Sequence, residues 1–409
     1  MSGSGGYFSA QEAARALGVT AATLYAYTSR GQLHSEPVPG RPRQRRYHRE
    51  DIVALRERKE ARRDPAKAAA RGLHWGSPVL DSAITLIHND KLYYRGQDAV
   101  KLAETASLEQ VAALLWAADA AELPRLFEQP CALQARQLAR LRECTKDPIT
   151  LLQAALPLAG SADLASYDLR PAAVRQTGAR ILRLLTTVVA EDPASVAVHQ
   201  ALAAGWARKT TAAEDAIRTA LVLSADHELN VSAFTARCAA SAGAPPYDAI
   251  SAAMATLKGH KHGGATKRVS ALLAEIETPR RARAVLVDRL RRGEPIPGFG
   301  HPLYPNGDPR AAVLLKLAEA SGSHPEWRLV RSLGQAGSEL LQEQPNLDFA
   351  LVAVARTHRL PQDAPLILFV LGRTAGWIGH MVEQYAIDEL IRPRARYTGL
   401  APVSAEIAY

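Results

Sequence analysis

The 409 residues include 47% hydrophobic and 22% charged side chains, a balance that suits a soluble protein with a large core and excludes a disordered or fibrous chain. Three cysteines, Cys131, Cys144 and Cys238, are too few and too widely spaced for a disulfide framework and suit a reducing cytoplasm. The net charge of +9 is uneven: residues 1–72 hold 14 Lys and Arg against 7 Asp and Glu, leaving 36 of the 50 basic residues to face 34 of the 41 acidic ones. The chain reads as a basic head, suited to anions or nucleic acid, on a nearly neutral body.

The opening "MSGSGGYFS" lacks the basic start and apolar run of a secretory signal. Ser9 and Glu12 then stand at capping-box spacing, Ala13, Ala14 and Leu17 follow at helical intervals, and "GVT" breaks the pattern. Thr20 caps a second helix in which Leu24 and Tyr27 face the first, which makes a helix-turn-helix. The arginine-rich "PVPGRPRQRRYHRED" suits a hairpin wing, and "DIVALRERKEARRD" a third helix. These boundaries give a head over 1–63, a linker "DPAKAAARG" over 64–72 and a body over 73–409. Residues 7–63 resemble winged helix-turn-helix heads of the MerR or excisionase type, whose second helix enters the major groove and whose wing touches phosphates. That resemblance implies DNA contacts at Thr23, Tyr25, Tyr27, Arg30, Arg41, Arg43, Arg45 and Arg46. A two-helix unit is also a common protein-interaction module, and an arginine-rich wing can be a solvated face, so both readings stay open.

The body shows period 3.6 almost throughout. "AITLIHNDKLYYRG" (83–96) reads as one small hairpin around Asn89-Asp90. Ser107 and Gln110 form a second capping box ahead of Val111, Leu114 and Leu115 on one face. Further helices are expected near 131–143, 172–191, 196–208, 211–224, 247–257, 279–292, 309–321, 326–343, 347–358 and 364–389. The most apolar run, "APLILFVLG" (364–372), is too short to span a bilayer and reads as a buried helix. The fold class is mainly α.

Six islands interrupt this regularity: "SADHELNVSAFTARC" (224–238), "LKGHKHGGATKRV" (257–269), "IPGFGHPLYPNGDPRA" (296–311), "QPNLDFALVAVA" (344–355), "FVLGRTAGWIGH" (369–380) and "IRPRARYTG" (391–399). Arginine inside an apolar helix, as at Arg373, is expensive unless it meets an anion or a carboxylate. A histidine followed by two glycines, as at His262, sits where backbone can approach a ligand closely. Singly, each island has a bland reading as a turn, a cap or a surface charge cluster.

In order, however, His227, His262, His301, Arg310, Asp348, Arg373 and Arg392, with Phe369 and the opening "KLYYRGQDAVKLAETASLEQVAALLW", resemble the active-site series of citrate synthases. The resemblance covers roughly 73–409 and implies a two-lobed helical body with a small lobe near 260–362. It further implies an acyltransferase that joins acetyl-CoA to oxaloacetate and hydrolyses the product, with no metal and with acyl-CoA as co-substrate. On this reading Asp348 is the base, His262 donates to the thioester oxygen, and His301 polarises the keto group. His227, Arg310, Phe369, Arg373 and Arg392 line the substrate pocket, the last supplied by the partner of a homodimer. Lys258, Pro297, Gly298 and Gly300 face CoA, and Lys267 and Arg268 could meet its phosphates. His260, Thr266-Lys267 and Pro305 depart from the family pattern without removing a catalytic group. The same residues serve 2-methylcitrate synthases, which take propionyl-CoA, and a DNA-binding regulator with a metabolite-sensing body is the third reading. No membrane partner is expected.

Overall fold

The computed structural model describes residues 7–400 apart from 30–32, 39, 50, 54, 57–79, 120, 129–130, 132, 191–196, 207–209, 321–324 and 396. The chain divides into two compact units, Met1–Asp81 and Ser82–Tyr409. The linker expected at 64–72 lies outside the described residues.

In the first unit, Ser9 Oγ accepts the Glu12 N–H at 3.3 Å while Glu12 Oε2 accepts the Ser9 N–H at 2.8 Å, so the expected capping box opens helix Ala10–Leu17. Gly18, at φ 61°, ends it in the left-handed conformation that glycine adopts freely. Thr20 Oγ1 then accepts the Thr23 N–H at 3.3 Å and opens helix Ala21–Ser29. Strands Ser35–Val38 and Arg41–His48 pair antiparallel as the wing, and Tyr7–Ser9 pairs with the other edge of Arg41–His48. Ala13, Leu17, Leu24, Leu33, Tyr47, Ile52 and Leu55 form the core of this unit.

The second unit opens with the expected hairpin, Thr85–His88 against Lys91–Tyr94, extended by Gln97–Asp98. Asn89 and Asp90 both adopt positive φ, as a tight hairpin turn demands and as short polar side chains tolerate. From Ala99 onward the described chain is helical and buries two apolar cores. The larger draws on residues from Ile84 to Val382; the smaller lies wholly between Val269 and Ala353. Helices Pro148–Ala162, Val231–Ser241 and Ala265–Ile276 were not expected from the sequence. Pro157 sits inside the first, and the other two start within islands at 224–238 and 257–269 that read as breaks.

The helix that organises the body is Ala364–Ile387, 24 residues long and buried along most of its length. By length and composition it could cross a membrane, yet its most apolar window is 100% buried within the protein. Its glycines let it press on the chain at 221–226. A Cβ on Gly372 would lie 2.6 Å from the Leu221 carbonyl oxygen, and one on Gly376 would overlap the Ala225 carbonyl and the Asp226 carboxylate. The Gly376 N–H instead donates to Ala225 O at 3.0 Å, and Trp116 Nε1 donates to Ala375 O at 2.8 Å. Gly376→Ala is therefore expected to destabilise the fold by about 1–3 kcal/mol, the usual scale of overpacking. Urea unfolding of the variant beside the parent measures it; an unchanged midpoint would mean the helix does not press on Ala225 and Asp226.

Candidate active site

Two buried guanidinium groups anchor the cluster of expected residues. Arg373 extends from Ala364–Ile387, donates from Nε to Ser224 O at 2.9 Å, and stands 4.8 Å from the Phe369 ring. Burial opposes its charge and pulls its pKa down to about 10. Arg310 opens helix Pro309–Ala320 and grips both oxygens of Asp308, with Nε to Oδ1 at 2.9 Å and Nη2 to Oδ2 at 2.7 Å. Burial opposes this charge too, but Asp308 more than offsets it and raises the arginine's pKa. Asp308 Oδ2 also accepts the Leu347 N–H at 3.2 Å, which ties the pair to the start of helix Leu347–Thr357.

Between them stand two imidazoles and a phenol. His227 Nε2 lies 3.0 Å from Tyr304 Oη, and its ring meets His301 edge-on at 5.0 Å. Burial, then the charge of Arg310, holds His227 well below the usual histidine range. The same two causes bring His301 down to about 4. His301 Nδ1 accepts the Leu303 N–H at 3.2 Å, so in the neutral ring Nε2 carries the proton. Glu228 follows His227 at φ 50°, a strained conformation, and its Oε1 accepts the Ile87 N–H at 3.1 Å from the hairpin.

His262 sits in the turn between helices Pro246–Leu257 and Ala265–Ile276, edge-on to Phe369 at 5.6 Å. Burial, reinforced by Arg373, brings it to about 3. Its Nε2 is 2.8 Å from Ser232 Oγ, which also receives Trp377 Nε1–H at 3.1 Å and lies 2.7 Å from Asn230 Oδ1. Asn230 Oδ1 already accepts the N–H groups of Ser232 and Ala233, each at 3.2 Å, as the cap of Val231–Ser241. The Ser232 hydroxyl donates to Asn230 Oδ1, and its oxygen faces His262 Nε2. The glycines beside it have a reason different from the expected one. A Cβ on Gly264 would lie 2.6 Å from Lys258 O, and one on Gly263 2.5 Å from the Leu257 side chain, so the close approach is to the chain itself.

Asp348 lies in the first turn of Leu347–Thr357, half-buried as a residue, with Oδ1 enclosed and without a hydrogen-bond partner among the described residues. Burial raises its carboxyl to about 7, and the cations of Arg310 and Arg373 only partly oppose this. A carboxyl that titrates there can take or give a proton near neutral pH.

The other expected residues fall outside this cluster. Pro297 and Gly298 are buried, and Gly298 and Gly300 adopt φ 92° and 70°. A Cβ on Gly298 would crowd Val269 at 2.9 Å, so packing alone requires this glycine. Lys258 is exposed and donates to Gln153 Oε1 at 2.8 Å, and Lys267 pairs with Asp363 at 3.6 Å. Arg392 is exposed, beyond the end of the long helix. In the head, Thr23 bonds to Thr20 and Tyr25 is 54% exposed. Arg45 donates to Ser35, and Arg46 to Glu36 at 3.1 Å. Arg30 and the side chains of Arg41 and Arg43 lie outside the described residues. Sequence reasoning missed Ser232, Tyr304 and Asp308. Only Asp308 carried a signal, its spacing of two from Arg310, which suits a local ion pair.

The citrate synthase C-terminal domain model matches residues 72–394, and a helix-turn-helix domain model matches 7–60. "Citrate synthase 2" of Bacillus subtilis is 30% identical over 358 residues, covering 81% of this chain and 96% of that protein. A 2-methylcitrate synthase of Corynebacterium glutamicum is 30% identical over 341 residues, covering 76% and 89%. Among solved structures, the ternary complex of carboxymethyl coenzyme A and oxaloacetate with citrate synthase from Thermoplasma acidophilum aligns at TM-score 0.71 and 26% identity, covering 82% and 97%. With a family model spanning most of its length and full-length relatives at this identity, the chain belongs to the citrate synthase family of condensing acyltransferases, here carrying an N-terminal helix-turn-helix domain.

Proposed function

We propose that the chain condenses acetyl-CoA with oxaloacetate and hydrolyses the resulting thioester to citrate and CoA. The observation that carries this is Asp348, whose Oδ1 is enclosed without a partner among the described residues at the start of Leu347–Thr357, where Arg310 and Arg373 are also buried; burial raises its carboxyl to about 7. Asp348 takes the proton from the thioester methyl carbon while His262 donates to the thioester oxygen, giving the enol. The enol carbon attacks the keto carbon of oxaloacetate, the enol proton returns to His262 as the thioester carbonyl re-forms, and the proton on His301 Nε2 passes to the keto oxygen. Water then cleaves the citryl thioester. Arg310, Arg373 and His227 hold the two carboxylates, and Phe369 walls the acyl group from solvent. Preorganised donors in a dry cleft are worth most where charge develops in the transition state.

Arg392 completes the pocket from a partner subunit on this reading. Ile387, Leu390, Tyr397 and Leu400 around it are exposed large apolar side chains, which supports a second copy covering this tail. Pro297, Gly298, Gly300 and Lys258 are assigned to CoA, with exposed His260 and Lys261 beside Lys258 adding positive charge for its phosphates. Propionyl-CoA is the second donor to test, because a 2-methylcitrate synthase stands among the relatives and one methylene alters discrimination by only about 1–3 kcal/mol. A DNA-reading role is not favoured. Helix Ala21–Ser29 bears no charged side chain, and Arg45 and Arg46 are engaged within the head.

Thiol release from acetyl-CoA and from propionyl-CoA, each with and without oxaloacetate, tests the reading. Oxaloacetate-dependent release supports it, the faster donor names the product, and release from neither donor removes it. Asp348→Asn should lower kcat by about 100-fold to 10,000-fold while oxaloacetate binding persists. The same variant has a stability signature. A carboxyl whose folded pKa is raised stabilises the fold below its ordinary value and loses that contribution as pH climbs through about 7. Asp348→Asn should therefore melt above the parent at pH 8.5 and not at pH 4; equal differences at both values would place the carboxyl in water. Ser232→Ala should cut kcat about tenfold, the scale of one hydrogen bond, by removing the partner of His262 Nε2. An unchanged kcat would detach Ser232 from the donor's proton.

A further inference from the structure

Tyr304 meets three of the expected site residues at once. Its hydroxyl bonds His227 at 3.0 Å, its ring lies 5.1 Å from that of His301, and the Arg310 guanidinium stands 5.4 Å from its centroid. It is 2% exposed, and its position is locked by its own backbone: its N–H donates to His301 O at 2.9 Å, and its carbonyl accepts the Gly307 N–H at 3.0 Å. A buried phenol must place its proton on an acceptor, and among the described residues the His227 nitrogen is its sole hydrogen-bond partner. The hydroxyl therefore donates to Nε2. A neutral imidazole that accepts at Nε2 carries its proton on Nδ1. His227 Nδ1 has no partner among the described residues and, unlike the ring nitrogens of His380, is not enclosed.

We propose that Tyr304 is a positioning residue for substrate selection: its hydroxyl fixes His227 as the Nδ1–H tautomer, so that an uncharged ring presents a donor to the incoming dicarboxylate. The proposal rests on the reading of this cleft as an oxaloacetate site. Its physical need comes from the neighbours. Burial and the Arg310 charge disfavour a second proton on His227, so its help depends on which nitrogen holds the single one. The opposite tautomer would turn a lone pair on a carboxylate or keto oxygen, and the ring would repel what the arginines attract. The acyl-CoA half of the cleft is built on His262 and Phe369, which Tyr304 does not touch, so the effect should fall on one substrate only.

Tyr304→Phe keeps the ring between His227, His301 and Arg310 and removes only the donor. Calorimetry should show oxaloacetate binding weakened about fivefold to tenfold, the range of one net hydrogen bond, with the KM for acyl-CoA within twofold of the parent. The second measurement uses the unaltered protein: the ¹⁵N spectrum of histidine-labelled chain, with His227 identified by comparison with His227→Gln, reports which ring nitrogen is protonated. An unprotonated Nε2 that gains proton occupancy in Tyr304→Phe supports the proposal. A protonated Nε2 in the parent, or oxaloacetate affinity within twofold in the variant, overturns it. If the parent binds no oxaloacetate, the functional reading falls, and with it the selection role, while the spectrum still decides the tautomer on its own.

Discussion

The body is arranged around a guanidinium in the middle of an apolar helix. Carrying the charge of Arg373 into the core is unfavourable by several kcal/mol unless something answers it. The answer is built from backbone approach. Gly372 and Gly376 bring the turn at 221–226 against the helix, so that Ser224 O takes the Nε–H and the carboxylate of Asp226 supports the charge from behind. Asp226 is itself buried, and it is held ionised by His380 at 3.3 Å and by the Thr85 hydroxyl at 2.6 Å, against a burial effect that would raise it. The carboxylate, the arginine and the glycines thus require one another.

That arrangement sets the acid–base character of everything near it. Burial disfavours charge on every group in the cleft, but the cations divide the consequences. For the histidines, burial and the arginines act in the same direction, and all three become neutral rings able to donate or accept without carrying charge. For Asp348 they act in opposition, burial prevails, and the carboxyl titrates near neutral pH. A carboxyl that titrates near neutral pH and three neutral imidazoles therefore coexist in one buried cluster, where water would otherwise level them to ordinary values.

Much of this was legible in the chain. The capping boxes at Ser9 and Ser107 and the Asn89-Asp90 turn appear in the structure where spacing put them, and the series His227, His262, His301, Arg310, Asp348 and Arg373 was readable only as a family resemblance. What sequence could not show was partnership. Ser232 sits in an island that read as irregular, and its role depends on a histidine thirty positions away. Tyr304 looked like one more residue in a broken loop. Gly263 and Gly264 were read as making room for a ligand, whereas they make room for Leu257 and Lys258, since a glycine records only that something is close. Helix Pro148–Ala162 was lost to Pro157, because local propensity gives no weight to the packing that overrides it.

The loop at 296–311 shows why so many glycines and prolines belong together in a helical protein. Gly298 O accepts the Asn346 N–H at 2.9 Å, Gly300 N–H donates to Gln344 O at 2.9 Å, and Asn346 Nδ2 donates to Gly300 O at 3.1 Å. Asn346 at the same time caps Leu347–Thr357 through the N–H groups of Asp348 and Phe349. Farther along the loop, Asp308 holds Arg310 with both carboxylate oxygens, and its Oδ2 also accepts the Leu347 N–H. The segment bearing His301 and Arg310 is thereby laced to the turn bearing Asp348 at both of its ends. A helix in that position could present one face only. An irregular strap, bent at glycines and stiffened by prolines, carries the His301 imidazole and the Arg310 guanidinium and ties both to the helix start that bears Asp348.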